Sequence, residues 1–144
     1  MVKNMNRSIL LQELKRDEGF VSHVYKDHLG YDTIGVGRLV DRRRGGGISE
    51  YEGDILLGND VDRVVGSLDH KIPWMRDLSD ARQRALVNMA FQLGVNGLLN
   101  FRKTLSFMKD GKFEEAAEEA LNSRWARQTP ERAKRIAKMI REGE

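Results

Sequence analysis

The segment ARQRALVNMAFQLG, residues 81–94, limits the choice of fold more than any other part of the chain. Its second half is apolar nearly all round, with Leu86, Val87, Met89, Ala90, Phe91 and Leu93 leaving little polar face. A helix of that kind must be enclosed by other elements, because a surface helix keeps a polar stripe for water. The surrounding sequence supplies them. From Asp77 onwards the chain reads as helical throughout, with GLLNFRKTLSFM and FEEAAEEAL as shorter amphipathic pieces. In TPERAKRIAKMIRE, Thr129 is placed as an N-cap, Pro130 at the first helical position, and Lys and Arg in the last turns. A length of 144 residues suits one compact domain, or two small lobes sharing a core.

The first third of the chain has a different character. Ile9, Leu10, Leu11 and Leu14 recur at helical spacing after a cap at Asn6 or Ser8. Gly19 is placed as the left-handed stop, so this helix ends at Asp17–Glu18. Two extended segments near 20–27 and 31–37 follow, joined by His28-Leu29-Gly30 as a hairpin loop. If Asp27 faces Tyr31, then Tyr25 faces Thr33, and alternation sends Asp27, Tyr25 and Thr33 to one side; a bulge at Gly30 would shift that register. RRRGGG (42–47) reads as a surface turn, since no GK[ST] follows to make a phosphate loop. Ser49-x-x-Glu52 is a capping box opening a helix that runs through Leu56, Val61, Val65 and Leu68 and stops before Pro73. The predicted fold is α+β and mostly helical. A small β-hairpin lobe at about 19–48 is joined by a long helix at about 49–70 to a helical lobe at about 71–144, with helix 1 grouped in the latter. A cleft between unequal lobes is the expected substrate site.

Composition excludes several classes of function. The absence of cysteine removes disulfides and thiol chemistry. His23, His28 and His70 lack metal-ligand spacing, so neither metal nor cofactor is expected. No apolar run approaches the roughly 18 residues of a membrane span, and the N-terminus reads as an amphipathic helix, not an export signal; stable membrane insertion is not expected. A net charge of +3 and a pI near 9.3 suit an anionic partner, although the mixing of acids and bases is equally that of an ordinary solvated surface.

Two acids stand out. Glu18 ends a helix, where an ionised side chain meets the negative end of the macrodipole at a cost of about 0.3–1 kcal/mol, with Asp17 adding like-charge repulsion. Taken singly it is an ordinary tolerated surface acid, just as Asp27 is an ordinary turn residue and Thr33 an ordinary strand residue. Together they make the set that general acid–base cleavage of a glycosidic bond requires: one carboxyl group for the leaving oxygen, another to work on water across the sugar.

The pattern formed by Glu18-Gly19, Tyr25-Lys26-Asp27, Gly30-Tyr31 and Thr33-Ile34-Gly35-Val36-Gly37 resembles the catalytic region of the phage-type lysozymes of glycoside hydrolase family 24, of the T-even type. The resemblance continues in order through Asn59-Asp60-Val61-Asp62, Asn88 to Gly94, Ser123-Arg124-Trp125, Gln128-Thr129-Pro130 and Arg132-Ala133, covering nearly the whole chain. It implies a lysozyme-like fold and an endolysin-type muramidase that cleaves the β-1,4 bond between N-acetylmuramic acid and N-acetylglucosamine. Glu18 would be the proton donor; Asp27 would stabilise the oxocarbenium-like transition state and, with Thr33, position water for inversion. Leu39, Phe91, Gln92 and Thr104 fall on positions lining the saccharide cleft, though plain core packing explains Phe91, Met89 and Trp125 equally well. Arg132 falls where an arginine pairs with the catalytic glutamate.

The resemblance also implies a monomer whose partner is bacterial peptidoglycan and not nucleic acid. It would accumulate in the host bacterial cytoplasm and reach the wall through a membrane lesion. Arg38 stands where the family usually has histidine, and Asp60 at the position that would pair with it; Glu119 stands at a cleft-side position that is asparagine in the best-known member. The alternatives are a lytic transglycosylase, which would use Glu18 alone, and a non-catalytic envelope-binding module.

Overall fold

A computed structural model describes residues 4–28, 30, 32–39 and 48–144, with residues 23, 24, 32 and 39 described through their backbone alone. The predicted turn at 42–47 and the Asp27–Tyr31 pairing lie outside the described residues. The fold is α+β and mostly helical, as expected. Among the described residues there are eight α-helices and one three-stranded antiparallel sheet.

Contacts divide the chain into two units. One comprises Ser8–Asp62, the other Met1–Arg7 with Arg63–Glu144. In the first, α1 (Arg7–Glu18) buries Leu10 and Leu14 completely. It stops where Gly19 takes φ +74° and returns its N–H to the Lys15 carbonyl at 2.8 Å. α1, which the sequence reading grouped with the later helices, clusters here with the sheet. β1 (Val21–Lys26) pairs antiparallel with β2 (Asp32–Gly35), with Tyr25 opposite Thr33 as the sequence predicts. The Asp27 carbonyl accepts from Gly30 N–H at 3.0 Å, and Gly30 adopts φ +85°, as a short glycine-containing hairpin turn requires.

A third strand, β3 (Arg38–Leu39), was not anticipated. Gly35 and Gly37, at φ +69° and +67°, turn the chain back so that Ile34 faces Arg38 and Thr33 faces Leu39. α2 (Glu50–Lys71) opens on the predicted capping box: Ser49 N–H donates to Glu52 Oε1 and Glu52 N–H to Ser49 Oγ, each at 3.1 Å. Within the first unit, Lys15 and Asp54 join α1 to α2 at 2.7 Å. A Cβ on Gly53 would lie 2.7 Å from the Phe20 ring, so only glycine allows that approach.

In the second unit a short 3-10 turn, Pro73–Asp77, leads to α3 (Asp80–Leu93), the predicted central helix. Every residue from Gln83 to Ala90 is buried. Gln83, fully enclosed, donates from Nε2 to the Arg76 and Leu78 carbonyls, and so binds the 3-10 turn to α3. Around α3 follow α4 (Val95–Leu99), α5 (Arg102–Lys109), α6 (Phe113–Leu121), α7 (Arg124–Gln128) and α8 (Pro130–Glu142). Leu68, Met75, Leu86, Met89, Leu98, Met108, Ile136 and Ile140 are the largest fully buried apolar side chains of this core. Thr129 does occupy the N-cap position of α8 with Pro130 behind it, but its hydroxyl turns back to the Trp125 carbonyl at 3.0 Å and makes no cap bond.

Candidate active site

The first unit collects the acids singled out in the sequence. Glu18 is the last residue of α1, half-buried, and its carboxylate rests on the bare Cα of Gly37, where a Cβ would lie 2.7 Å from Oε2. The second tight turn of the sheet therefore seats the first acid. Asp27 is half-buried, one residue beyond the end of β1, and Thr33 is buried in β2.

Tyr25 ties these residues together. It lies two positions before Asp27 and directly opposite Thr33, and its hydroxyl is pushed above the ordinary phenol value of 10.0 by burial first, then by the charges of Glu18 and Asp27. Both carboxylates thus act on one phenol, which stays neutral and able to donate a hydrogen bond. Sequence reasoning paired Tyr25 with Thr33 but assigned it no part in the site; its spacing of two from Asp27 was the available signal. Arg38 Nε stands 3.7 Å from Oδ2 of Asp60, which is buried on α2, so the predicted pair is present. Leu39 is placed in β3 opposite Thr33.

The second unit holds the remaining predicted residues. Thr104, buried on α5, lines a cavity of about 710 Å³ together with Phe101 and Trp125. Those two rings meet edge to face with centroids 5.9 Å apart. Gln92 is half-buried and accepts a hydrogen bond from Trp125 Nε1 at 2.8 Å, so it orients a wall of the cavity without itself lining it. Phe91 is half-buried and is not part of the lining. Met89 is core, as its ordinary reading has it, and Trp125 is both core and cavity wall. Arg132 is buried in α8 and donates from Nε and Nη2 to Asn88 Oδ1 at 3.0 and 2.9 Å. Among the described residues no group of three or more histidine, cysteine or acidic side chains could hold a metal ion.

A mostly helical α+β scaffold with two carboxylates, a phenol and a threonine hydroxyl on a helix end and a small sheet is of a class that hydrolases share. Comparison with known sequences places it within that class. Residues 15–141 match the phage lysozyme family, and the chain belongs to that family. It is therefore a glycoside hydrolase of the lysozyme class, acting on peptidoglycan. It is 33% identical to "Probable T4-type lysozyme 1" of Dictyostelium discoideum, over 90% of this chain and 92% of that protein. It is 32% identical to the pre-baseplate central spike protein Gp5 of enterobacteria phage T4, over 97% of this chain but 28% of that much longer protein. It is also 29% identical to peptidoglycan hydrolase gp36 of Pseudomonas phage phiKMV, over 90% of this chain and 15% of that protein.

Proposed function

We propose that the chain is an endolysin-type muramidase that hydrolyses the β-1,4 bond between N-acetylmuramic acid and N-acetylglucosamine in peptidoglycan, with inversion. The observation that carries this reading is the seat of the Glu18 carboxylate against Gly37, in the same unit as Asp27 and Thr33, with Tyr25 opposite Thr33 and subject to the charges of both acids. Glu18, as general acid, gives a proton to the glycosidic oxygen as the bond to the anomeric carbon breaks. Asp27 stabilises the oxocarbenium-like charge that develops and takes a proton from the water attacking the opposite face. Thr33 holds that water. Arg132 is proposed as a supporting residue, and Leu39, Phe91, Gln92 and Thr104 as residues that bind substrate. An inverting enzyme needs its two carboxyl groups roughly 6.5–9.5 Å apart, with room for one water. The protein would act on the wall as a monomer, after passing from the host cytoplasm through a membrane lesion.

Turbidity clearing of outer-membrane-permeabilised bacteria tests the reading. Glu18→Gln is expected to abolish clearing while leaving the circular dichroism spectrum and unfolding midpoint near wild type. A fully active Glu18→Gln protein would leave only a binding role. Mass spectrometry of the released muropeptides is expected to show reducing ends; anhydro ends would mean that Asp27 and Thr33 do not deliver water.

A further inference from the structure

Glycan cleavage as proposed gives Tyr25 no task, although its side chain stands among the residues that have one. It lies on β1 directly across the strand pair from Thr33, and Asp27 follows two residues later, just past the end of the strand. Directly opposed residues hold their Cβ atoms about 4.5–5.5 Å apart. Glu18 reaches the same unit from another element, the end of α1, with its carboxylate against Gly37 in the turn between β2 and β3. The phenol is half-buried and forms no hydrogen bond or ion pair with another described residue. Burial first, then the Glu18 charge and then that of Asp27, hold it above 10.0, so it keeps its proton.

The other charges near the two acids have partners of their own. Lys15 is joined to Asp54 at 2.7 Å and Arg38 to Asp60 at 3.7 Å. The Asp17 carboxyl is turned into the protein, 2% exposed, with Arg16 Nε at 3.7 Å, and Lys26 is exposed. What Tyr25 adds is therefore a neutral donor under the influence of two carboxyl groups. Those groups need opposite things from it. Asp27 has to take a proton from water, and a hydrogen bond donated to its carboxylate would weaken it as a base. Glu18 has to give a proton away, and a hydrogen bond donated to the carboxylate it leaves behind strengthens it as an acid. Only the second bond grows as the reaction advances, and only such an interaction speeds the chemical step.

We propose that Tyr25 is a positioning residue for the acid step, its O–H donating to the Glu18 carboxylate as that carboxylate forms. The Glu18 proton passes to the glycosidic oxygen while the phenol keeps its own, so Tyr25 acts through Glu18 and exchanges nothing with the sugar. This rests on the muramidase reading.

The test compares wild type with Tyr25→Phe, which keeps the ring and loses only the hydroxyl, by reducing-end release from sacculi over about pH 4–9. In Tyr25→Phe, kcat is expected to fall about tenfold, the worth of one hydrogen bond to a charged group, with KM nearly unchanged. A donor favours the charged form of its acceptor, so without it the general acid keeps its proton to higher pH. The alkaline limb of kcat/KM is therefore expected to move up by about one pH unit, while the acid limb stays in place. A Tyr25→Phe enzyme with wild-type kcat overturns the proposal. So does one whose kcat falls with both limbs in place, which is the mark of lost packing, or one whose acid limb moves, which puts the phenol on Asp27. Alongside any of these results, an inactive Glu18→Gln enzyme leaves the muramidase reading standing. A fully active Glu18→Gln enzyme overturns both.

Discussion

At the scale of single residues, the site depends on an absent atom. Gly37 has φ +67°, and a Cβ there would come within 2.7 Å of Glu18 Oε2. Gly37→Ala adds about 1–2 kcal/mol of left-handed backbone strain and pushes the carboxylate off its seat. A displacement of that size is expected to lower kcat by about a hundredfold with the fold retained. Wild-type kcat in Gly37→Ala would rule out the observed seat of Glu18 as its working position. Arg38 makes a second residue-scale argument. Its pairing with buried Asp60 at 3.7 Å uses a guanidinium, which holds its charge at every accessible pH. In Arg38→His the partner becomes titratable. A histidine beside a carboxylate has its folded value raised, so its contribution is present below about pH 6.5 and is lost as pH rises through the folded value. Since the Arg38 side chain is 40% exposed, the difference is expected to stay below about 1 kcal/mol. Urea unfolding at about pH 5.5 and 8 checks it; a gap between variant and wild type that does not widen with pH refutes it. In the sequence the motif marks Glu18, Asp27 and Thr33, and alternation sets Tyr25 opposite Thr33, the register that the strand pair has. That the Glu18 and Asp27 charges both bear on Tyr25 was not legible, since a cross-strand tyrosine is usually mere strand packing.

At the scale of elements, what lies within a few residues was readable and what crosses the chain was not. The box Ser49-x-x-Glu52 is local chemistry and appears as read. The Ser49 N–H and hydroxyl hold the exposed Glu52 carboxyl below its ordinary value of 4.5. A depressed folded value means that this stabilisation is present above the unfolded value and is lost as pH falls through the folded one. The gap in unfolding midpoint between wild type and Ser49→Ala is therefore expected to narrow as pH drops below about 4. It does not vanish, because the Glu52 N–H bond to Ser49 Oγ does not titrate. A constant gap across that range would show that the carboxylate arm adds nothing. β3 escaped the sequence reading because two residues carry no periodicity. The Thr129 cap failed because a backbone carbonyl at Trp125 competes for the hydroxyl. Least visible was the fastening of α8 by Arg82, 58 residues earlier. Its Nε donates to the Ile140 carbonyl at 2.7 Å and Nη2 to that of Arg141 at 3.1 Å, while the guanidinium lies 3.4 Å from the centre of the Phe113 ring. Arg82→Met retains apolar contact with Phe113 but leaves the end of α8 without its donors. A loss of about 2 kcal/mol is expected, with faster amide exchange confined first to the last turn of α8. An unchanged midpoint would mean that water caps α8 equally well.

At the scale of the whole molecule, the fold class was legible because one helix apolar all round admits few environments. The division of the chain was not: contacts separate it inside α2, between Asp62 and Arg63, where no turn, proline or shift of composition stands. The net charge of +3 is likewise a property no single element shows. It is small, but in the second unit Arg102, Lys103 and Arg124, which pair with no other described residue, line one cavity beside a single acid, Glu119, so part of the excess lies there. Peptidoglycan with peptide stems is anionic, and a basic enzyme meets it through a field that reaches about 10 Å at 0.1 M salt and about 3 Å at 1 M. Raising salt from about 0.05 to 0.5 M is therefore expected to lower kcat/KM on intact sacculi several-fold by slowing encounter. The same change should leave kcat on saturating substrate nearly untouched, since screening acts on approach and not on the bond-breaking step. Glycan strands stripped of peptide carry no such charge, and their cleavage is expected to be almost independent of salt. Equal salt sensitivity on the two polymers would place the effect in the protein's own stability, and the positive charge would then be no more than a solvated surface.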